Sequence, residues 1–229
     1  VLAIRGTDLV DSDVFQDNDR PTPPSMSETA SRLSGIQLLL SPPILMAFLF
    51  FMFIAMGTGA VRIFSVAALV AIYDTPLEAA NGVLTGFLGG AAAGILIGGL
   101  LVDKVGKPEL TAILGFLVGA ALLATAGTFS LPIAGMAAVL TGAGFVTGIV
   151  QPSRDLLVRR VTPPDSVGKV FAFVSTGLAL GGVLMPIAFG WLMDHADPRW
   201  VFWLSAIIIL LTVLTVGGLA SASRERKVY

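Results

Sequence analysis

The sequence predicts an all-α membrane protein, a bundle of six transmembrane helices, and three observations carry that prediction. The 229 residues are 55% hydrophobic and 13% charged, with a mean hydropathy of +0.88, whereas a soluble domain holds about 25% charged residues. Beyond Pro42-Pro43 the apolar residues gather into six stretches, each near or above the roughly 20 residues that cross a hydrocarbon core. The basic residues fall almost entirely on one side of those stretches.

The same composition excludes several classes of function. A net charge of −1 offers no basic body for nucleic acid. With no cysteine there is no disulfide framework, thiol nucleophile or thiolate metal site. The chain carries 26 glycines, which in so apolar a sequence suggests closely packed membrane helices. No catalytic triad, phosphate loop or metal-ligand cluster is visible, so neither an enzyme nor a cofactor is expected.

Taken in order, residues 1–42 hold Asp8, Asp11, Asp13, Asp17, Asp19 and Glu28 beside Arg5, Arg20 and Arg32. They also contain the run Pro21-Thr22-Pro23-Pro24-Ser25. Nothing there has the apolar core of a signal peptide, and the segment reads as a largely disordered tail. The six spans follow within 43–222, at about 44–72, 80–102, 110–129, 131–150, 166–193 and 199–221. Open backbone groups find no partners in lipid, so each span must be a helix. Thr75-Pro76-Leu77-Glu78 reads as a capping box opening the second span, and Phe129-Ser130-Leu131-Pro132 as a tight turn between the third and fourth. The charged segment from Gln151 to Asp165 separates the fourth from the fifth. Thr162 or Asp165 is expected to cap the fifth. A short basic tail, 223–229, closes the chain.

Six spans return the two ends of the chain to one side. Of the 14 basic residues, all but Arg62, inside a span, and Arg199, on the opposite side, lie there. The positive-inside rule then makes both ends cytoplasmic. Tyr73, Trp191, Trp200 and Trp203 cluster at the other face, as interfacial aromatics do. The expected location is the plasma membrane, a bacterial inner membrane.

The second span carries Gly82, Gly86, Gly90, Gly94 and Gly98. A spacing of four puts them on one helix face, where a neighbouring backbone approaches closely. The stripe serves either static packing or an interface that moves. Directly after it comes Gly99-Leu100-Leu101-Val102-Asp103-Lys104-Val105-Gly106-Lys107-Pro108. The run of glycine, three residues, aspartate, a base, one residue, glycine and a base resembles the signature cytoplasmic loop of the major facilitator superfamily. One span and a long segment precede it, so the copy matches the one between helices eight and nine. The chain as a whole then resembles the carboxyl-terminal half of such a transporter, helices seven to twelve, with 1–42 as the central loop. The wording Pro152-Ser153-Arg154-Asp155-Leu156-Leu157-Val158-Arg159 looks closest to bacterial efflux-type members, including the fosmidomycin-resistance-like group.

The resemblance implies roles for named residues. Gly99, Asp103, Lys104, Gly106 and Lys107 form a gate in which Asp103 pairs with Arg154 and faces a helix of the other half. A carboxylate at a helix carboxyl end needs such a compensating partner. The start of the fifth span, around Gly168, receives the corresponding aspartate of that half. The alternative for these residues is a solvated loop of topogenic charge. Gly177, Gly181, Gly182 and Pro186 allow the fifth span to bend or pack closely.

Arg62 is the sharpest single residue, because a charge inside a span is costly and a functional candidate by default. Its helix lines the central cavity in the family, so Arg62 is expected there with Thr58 and Ser65, drawing an anionic substrate or an acid of the other half. It otherwise snorkels to the outer face, or the span breaks near Gly57 and Gly59. Of the other polar residues inside spans, Thr85, Thr141, Thr147, Ser175 and Thr176 line a pathway or bond their own helix backbone. No aspartate, glutamate or histidine lies inside a span. A titrating group for proton coupling would belong to the other half, and His195 reads as a solvated loop residue.

The expected function is half of a secondary active transporter that moves a small molecule by alternating access, in the direction of efflux, with membrane lipid and a second six-helix half as partners. The alternatives are a six-helix protein that associates with itself, or a non-transporting scaffold or sensor. The chain opens on Val1 rather than methionine and is about half the length of a two-bundle transporter, as a truncated or processed product would be.

Overall fold

The computed structural model describes residues 37–162 and 166–225, apart from the side chains of Asp103, Val105, Val161 and 219–225. The tail expected at 1–42 falls largely outside these residues, as do Asp165 and residues 226–229 at the end of the basic tail. Six helices fill the described chain: α1 (Pro42–Tyr73), α2 (Leu77–Val105), α3 (Pro108–Thr128), α4 (Ile133–Val161), α5 (Val167–His195) and α6 (Trp200–Glu225). All six are long and apolar enough to cross a membrane. The chain is a multi-pass membrane protein.

The helix ends follow local chemistry. Pro42 and Pro108 occupy the first turns of α1 and α3, where the missing N–H costs nothing. α1 stops at Asp74, which adopts φ 47° and returns its N–H to the Val70 carbonyl. Short polar residues tolerate this left-handed conformation. α2 stops in the same way at Gly106, with φ 64° and its N–H on the Val102 carbonyl. Here glycine is needed because a Cβ would strain the turn into α3.

Three expectations about boundaries need correction. Thr75 does not cap α2: Pro76 holds the cap position and no side chain closes the helix end. Thr162 does not cap α5 either. Its hydroxyl donates back to the Val158 carbonyl at 2.7 Å, finishing α4, and Ser166 precedes α5 without a side-chain cap. The charged segment after Gln151 is not a loop, since α4 runs through Pro152 to Val161. A helix of 29 residues is about 44 Å long, well beyond a core of about 30 Å. One continuous helix therefore crosses the apolar layer and carries Arg154, Arg159 and Arg160 past it. His195 is likewise helical, the last residue of α5, with its ring stacked on Trp191 at 5.0 Å.

The principal helix contacts are α2 with α4, α1 with α5 and with α6, α3 with α4, and α3 with α6. Exchange each helix for the one three places later and this pattern maps onto itself. The α2–α4 contact becomes α5–α1, α3–α4 becomes α6–α1, and α3–α6 is unchanged. Three helices is an odd step, so the two triplets run in opposite directions, an inverted repeat. The core is largely apolar, with Phe50, Phe87, Phe189 and Phe202 fully buried.

Glycines set the two tightest contacts. A Cβ built at Gly90, Gly94 or Gly98 would collide with the backbones of Thr141, Phe145 and Ile149, and one at Gly86 with the Thr141 hydroxyl. From the facing helix, Gly144 and Gly148 lie against the Phe87 and Ala91 carbonyls. The two backbones thus touch reciprocally, close enough for Cα–H···O contacts. Gly82 departs from the stripe, because a Cβ there would meet nothing within 4 Å. At the related contact, Gly177 and Gly181 of α5 meet the Phe48 and Met52 carbonyls of α1. Gly57 seats α1 on Ile209 and Ser205 of α6, and Gly59 lies under Met185. These two glycines pack α1 without breaking it.

Candidate functional site

A cavity of about 320 Å³ opens between α1 and α4. α1 lines it with Thr58, Gly59 and Arg62, and α4 with Thr147, Gln151 and Arg154. Ile54, Phe116, Val150 and Leu178 supply apolar wall. The threonines are satisfied internally: Thr58 donates to the Ile54 carbonyl at 2.8 Å and Thr147 to that of Ala143 at 2.7 Å. Thr85 and Thr176 also bond their own helices. These hydroxyls leave oxygen lone pairs, and few free donors, for a ligand. Donors for an anion must therefore come from Arg62, Arg154 and Gln151.

Arg62 sits on an unbroken α1, exposed, and among the described residues it has neither an ion-pair nor a hydrogen-bond partner. Thr58 joins it in the cavity wall. Ser65 does not: it is 1% exposed, away from the cavity, and its hydroxyl lacks a partner among the described residues. No carboxylate lines the cavity.

Arg154 was expected to meet Asp103. The Asp103 side chain lies outside the described residues; the arginine pairs with its neighbour, Nε to Asp155 Oδ1 at 2.9 Å. Its guanidinium also lies 4.7 Å from the centre of the Phe51 ring, a cation–π contact that holds it at the α1–α4 seam.

The basic end of the bundle carries a second depression, of about 650 Å³. Here Gly99 of α2 and Gly168 of α5, far apart in sequence, line one groove with Asp155 and Arg159 of α4. Lys104 and Lys107 are exposed beside it, on the turn made by Gly106. That turn is braced from α4. Arg160 donates to Glu109 Oε1 at 2.8 Å and reaches the Gly106 carbonyl at 3.5 Å. The pair is partly exposed, at 33% and 24%, so it contributes on the order of 0.5–1 kcal/mol. Sequence reading missed it, although an acid in the first turn of one helix and a base in the last turn of another are each where the helix dipoles favour them.

Arg199 does comparable work at the opposite end. Its side chain donates to Ser130 Oγ at 2.8 Å and lies 5.9 Å from the Tyr73 ring, and its backbone N–H donates to Asp197 Oδ1. Tyr73 in turn donates to the Phe129 carbonyl at 3.2 Å. This arginine thus ties three connections together. Among the described residues no group of His, Asp or Glu is gathered to hold a metal ion.

A continuous six-helix bundle with inverted triplets and this glycine-aspartate-glycine turn matches a known family. The family model described as Major Facilitator Superfamily covers residues 46–227. The chain belongs to the major facilitator superfamily. It is 26% identical over 212 residues to an uncharacterized MFS-type transporter of Mycobacterium tuberculosis, covering 90% of this chain and 30% of the relative. It is 30% identical over 128 residues to the putative uncharacterized transporter YgaY of Escherichia coli, covering 56% and 32%. A multidrug resistance protein B homolog of Mycobacterium tuberculosis is 31% identical over 121 residues, covering 52% and 22%. The chain spans less than a third of the length of each of these relatives.

Proposed function

We propose that this six-helix bundle forms one wall of a secondary active transporter that moves a small anionic molecule by alternating access, in the direction of efflux. The observation that carries the reading is Arg62. It is a full positive charge inside a span, lining a cavity that contains no acid. Such a charge is tolerated in a membrane where it faces a polar cavity and serves a ligand. Membership of a transporter family supports movement of a small molecule. The relative named for multidrug resistance supports the outward direction.

On this reading the second wall is another six-helix bundle, and the bundle's basic end, including both chain ends, is cytoplasmic in a bacterial inner membrane. The groove holding Gly99 and Gly168 receives a helix of the second bundle, and Asp103 provides the contact that breaks on switching. The bracing of Gly106 by Arg160 keeps the loop in register while it does so. Nothing in the proposal calls for catalysis or a cofactor.

The test is transport by the full gene product in membrane vesicles, comparing an anionic compound with its neutral isostere. Arg62→Ala is expected to lower the rate for the anion about tenfold or more, while the neutral isostere changes less than twofold. Equal effects on both compounds would make Arg62 structural and remove the reading.

A further inference from the structure

The cavity holds two arginines, and their placement along the helices is informative. By a rise of about 1.5 Å per residue, Arg62 lies about 16 Å from the Tyr73 end of α1, and Arg154 about 32 Å from the Ile133 end of α4. Both helix ends lie at the same end of the bundle, where Tyr73 donates to the Phe129 carbonyl in the connection that leads into α4. The cavity is therefore elongated, with one guanidinium towards each end. Side chains tilt towards the amino end of their own helix. For Arg62 this tilt leads into the polar middle formed by Thr58, Thr147 and Gln151, whereas the Arg154 guanidinium lies 4.7 Å from the centre of the Phe51 ring and pairs with Asp155.

The two charges are not equivalent. Arg62 has no acceptor among the described residues. Arg154 uses one of its five N–H groups on Asp155, and its side chain is 16% exposed. Its other N–H groups have no protein acceptor among the described residues, although a guanidinium so enclosed needs them filled. Asp155 is half exposed, and it lines the groove at the basic end together with Arg159 and Gly168. Successive residues on a helix point about 100° apart, so Arg154 reaches sideways from the cavity to meet an acid that belongs to the groove.

Resting on the reading of an anionic substrate, we infer that the cavity takes a small organic dianion, one acidic group on Arg62 and the other on Arg154, and that the second group competes with Asp155 for Arg154. A monoanion satisfies Arg62 and leaves the Arg154–Asp155 pair intact. A dianion draws Arg154 into the cavity and releases the Asp155 carboxylate into the groove beside Arg159. Occupancy of the cavity is thereby felt as a change of charge where the second bundle docks.

The test uses the purified chain in lipid nanodiscs and three probes of one shape: terephthalate, its monoamide 4-carbamoylbenzoate, and the uncharged terephthalamide. Terephthalate is expected to bind about tenfold more tightly than the monoamide, and the monoamide more tightly than the diamide. Arg154→Gln should bring terephthalate down to the level of the monoamide and leave the monoamide unchanged. Asp155→Asn should tighten terephthalate about three- to tenfold, with the monoamide moving less than twofold. Circular dichroism and thermal melting of each variant show that the fold is kept. Equal binding of terephthalate and the monoamide, or an Asp155→Asn variant that binds terephthalate no better, overturns the dianion site. In that case an Arg62-dependent preference for the monoamide over the diamide would still uphold a monoanionic substrate. Binding that ignores charge altogether, or no binding by any probe, overturns both.

Discussion

The α2–α4 and α1–α5 contacts are equivalent under exchange of the two triplets, yet they are built differently. At α2–α4 glycines come from both helices. Gly90, Gly94 and Gly98 accept the backbone of α4, and Gly144 and Gly148 accept that of α2. At α1–α5 only α5 offers glycines against backbone, Gly177 and Gly181, and α1 answers with Phe48, Met52 and Ala55. Phe48 also packs on Phe173 with ring centres 5.3 Å apart. Neither backbone contact relaxes by a rotamer change, but the two-sided one is locked from both helices, whereas the one-sided one rests on the α5 glycines alone and has side chains of α1 around them. The stiffer seam anchors α4, which carries Arg154 to Arg160. The more adaptable seam holds α1, which carries Arg62.

Substitutions at matched glycines break or sharpen this comparison. The largest effect is expected from Gly148→Val, because its side chain would enter the Ala91 backbone and neither helix can move without losing the reciprocal contacts. A cost of about 3 kcal/mol or more follows from overpacking, read as a fall of roughly 10 °C in the melting midpoint of the purified protein. A melting point close to that of the parent would mean that the α4 glycines do not hold the seam. Gly177→Ala should cost less, about 1–2 kcal/mol, because glycines face backbone from one helix only at this seam; the ring atom at 3.3 Å can turn aside, but α1 must shift to relieve the Phe48 carbonyl at 2.6 Å. If Gly177→Ala proved as damaging as Gly148→Val, the two seams would be equally stiff. Gly82→Ala is the smallest, within about 0.5 kcal/mol, because the new methyl meets nothing within 4 Å. A marked destabilisation there would restore Gly82 to the packing face.

Much of the fold was legible before any coordinates. Six apolar stretches required six helices, whereas the left-handed φ of 64° at Gly106 came from the structure. The boundaries misjudged were those at polar ends. A charged run after Gln151 reads as a loop if every helix is taken to stop at the edge of lipid, but backbone hydrogen bonding carries α4 onward. The site was legible in part. A charge in an apolar span marks itself, so Arg62 stood out. Arg154 reads as loop charge until α4 is seen to continue through it. Ser65 shares a helix with Thr58 and Arg62 but turns into the core, which a list of polar residues cannot convey.

The sequence by itself determined how many helices cross the membrane, where the basic residues gather, and which helix has a face of small residues. Those properties follow from transfer of each segment into lipid, a local sum over neighbouring residues. Only the tertiary structure decided that the α2 glycines meet glycines of α4, that Gly99 and Gly168 share a groove, and that Arg62 and Arg154 face one cavity. Lipid tails are as apolar as leucine, so hydropathy says nothing about which helix faces which. That choice rests on the fit of one surface to another.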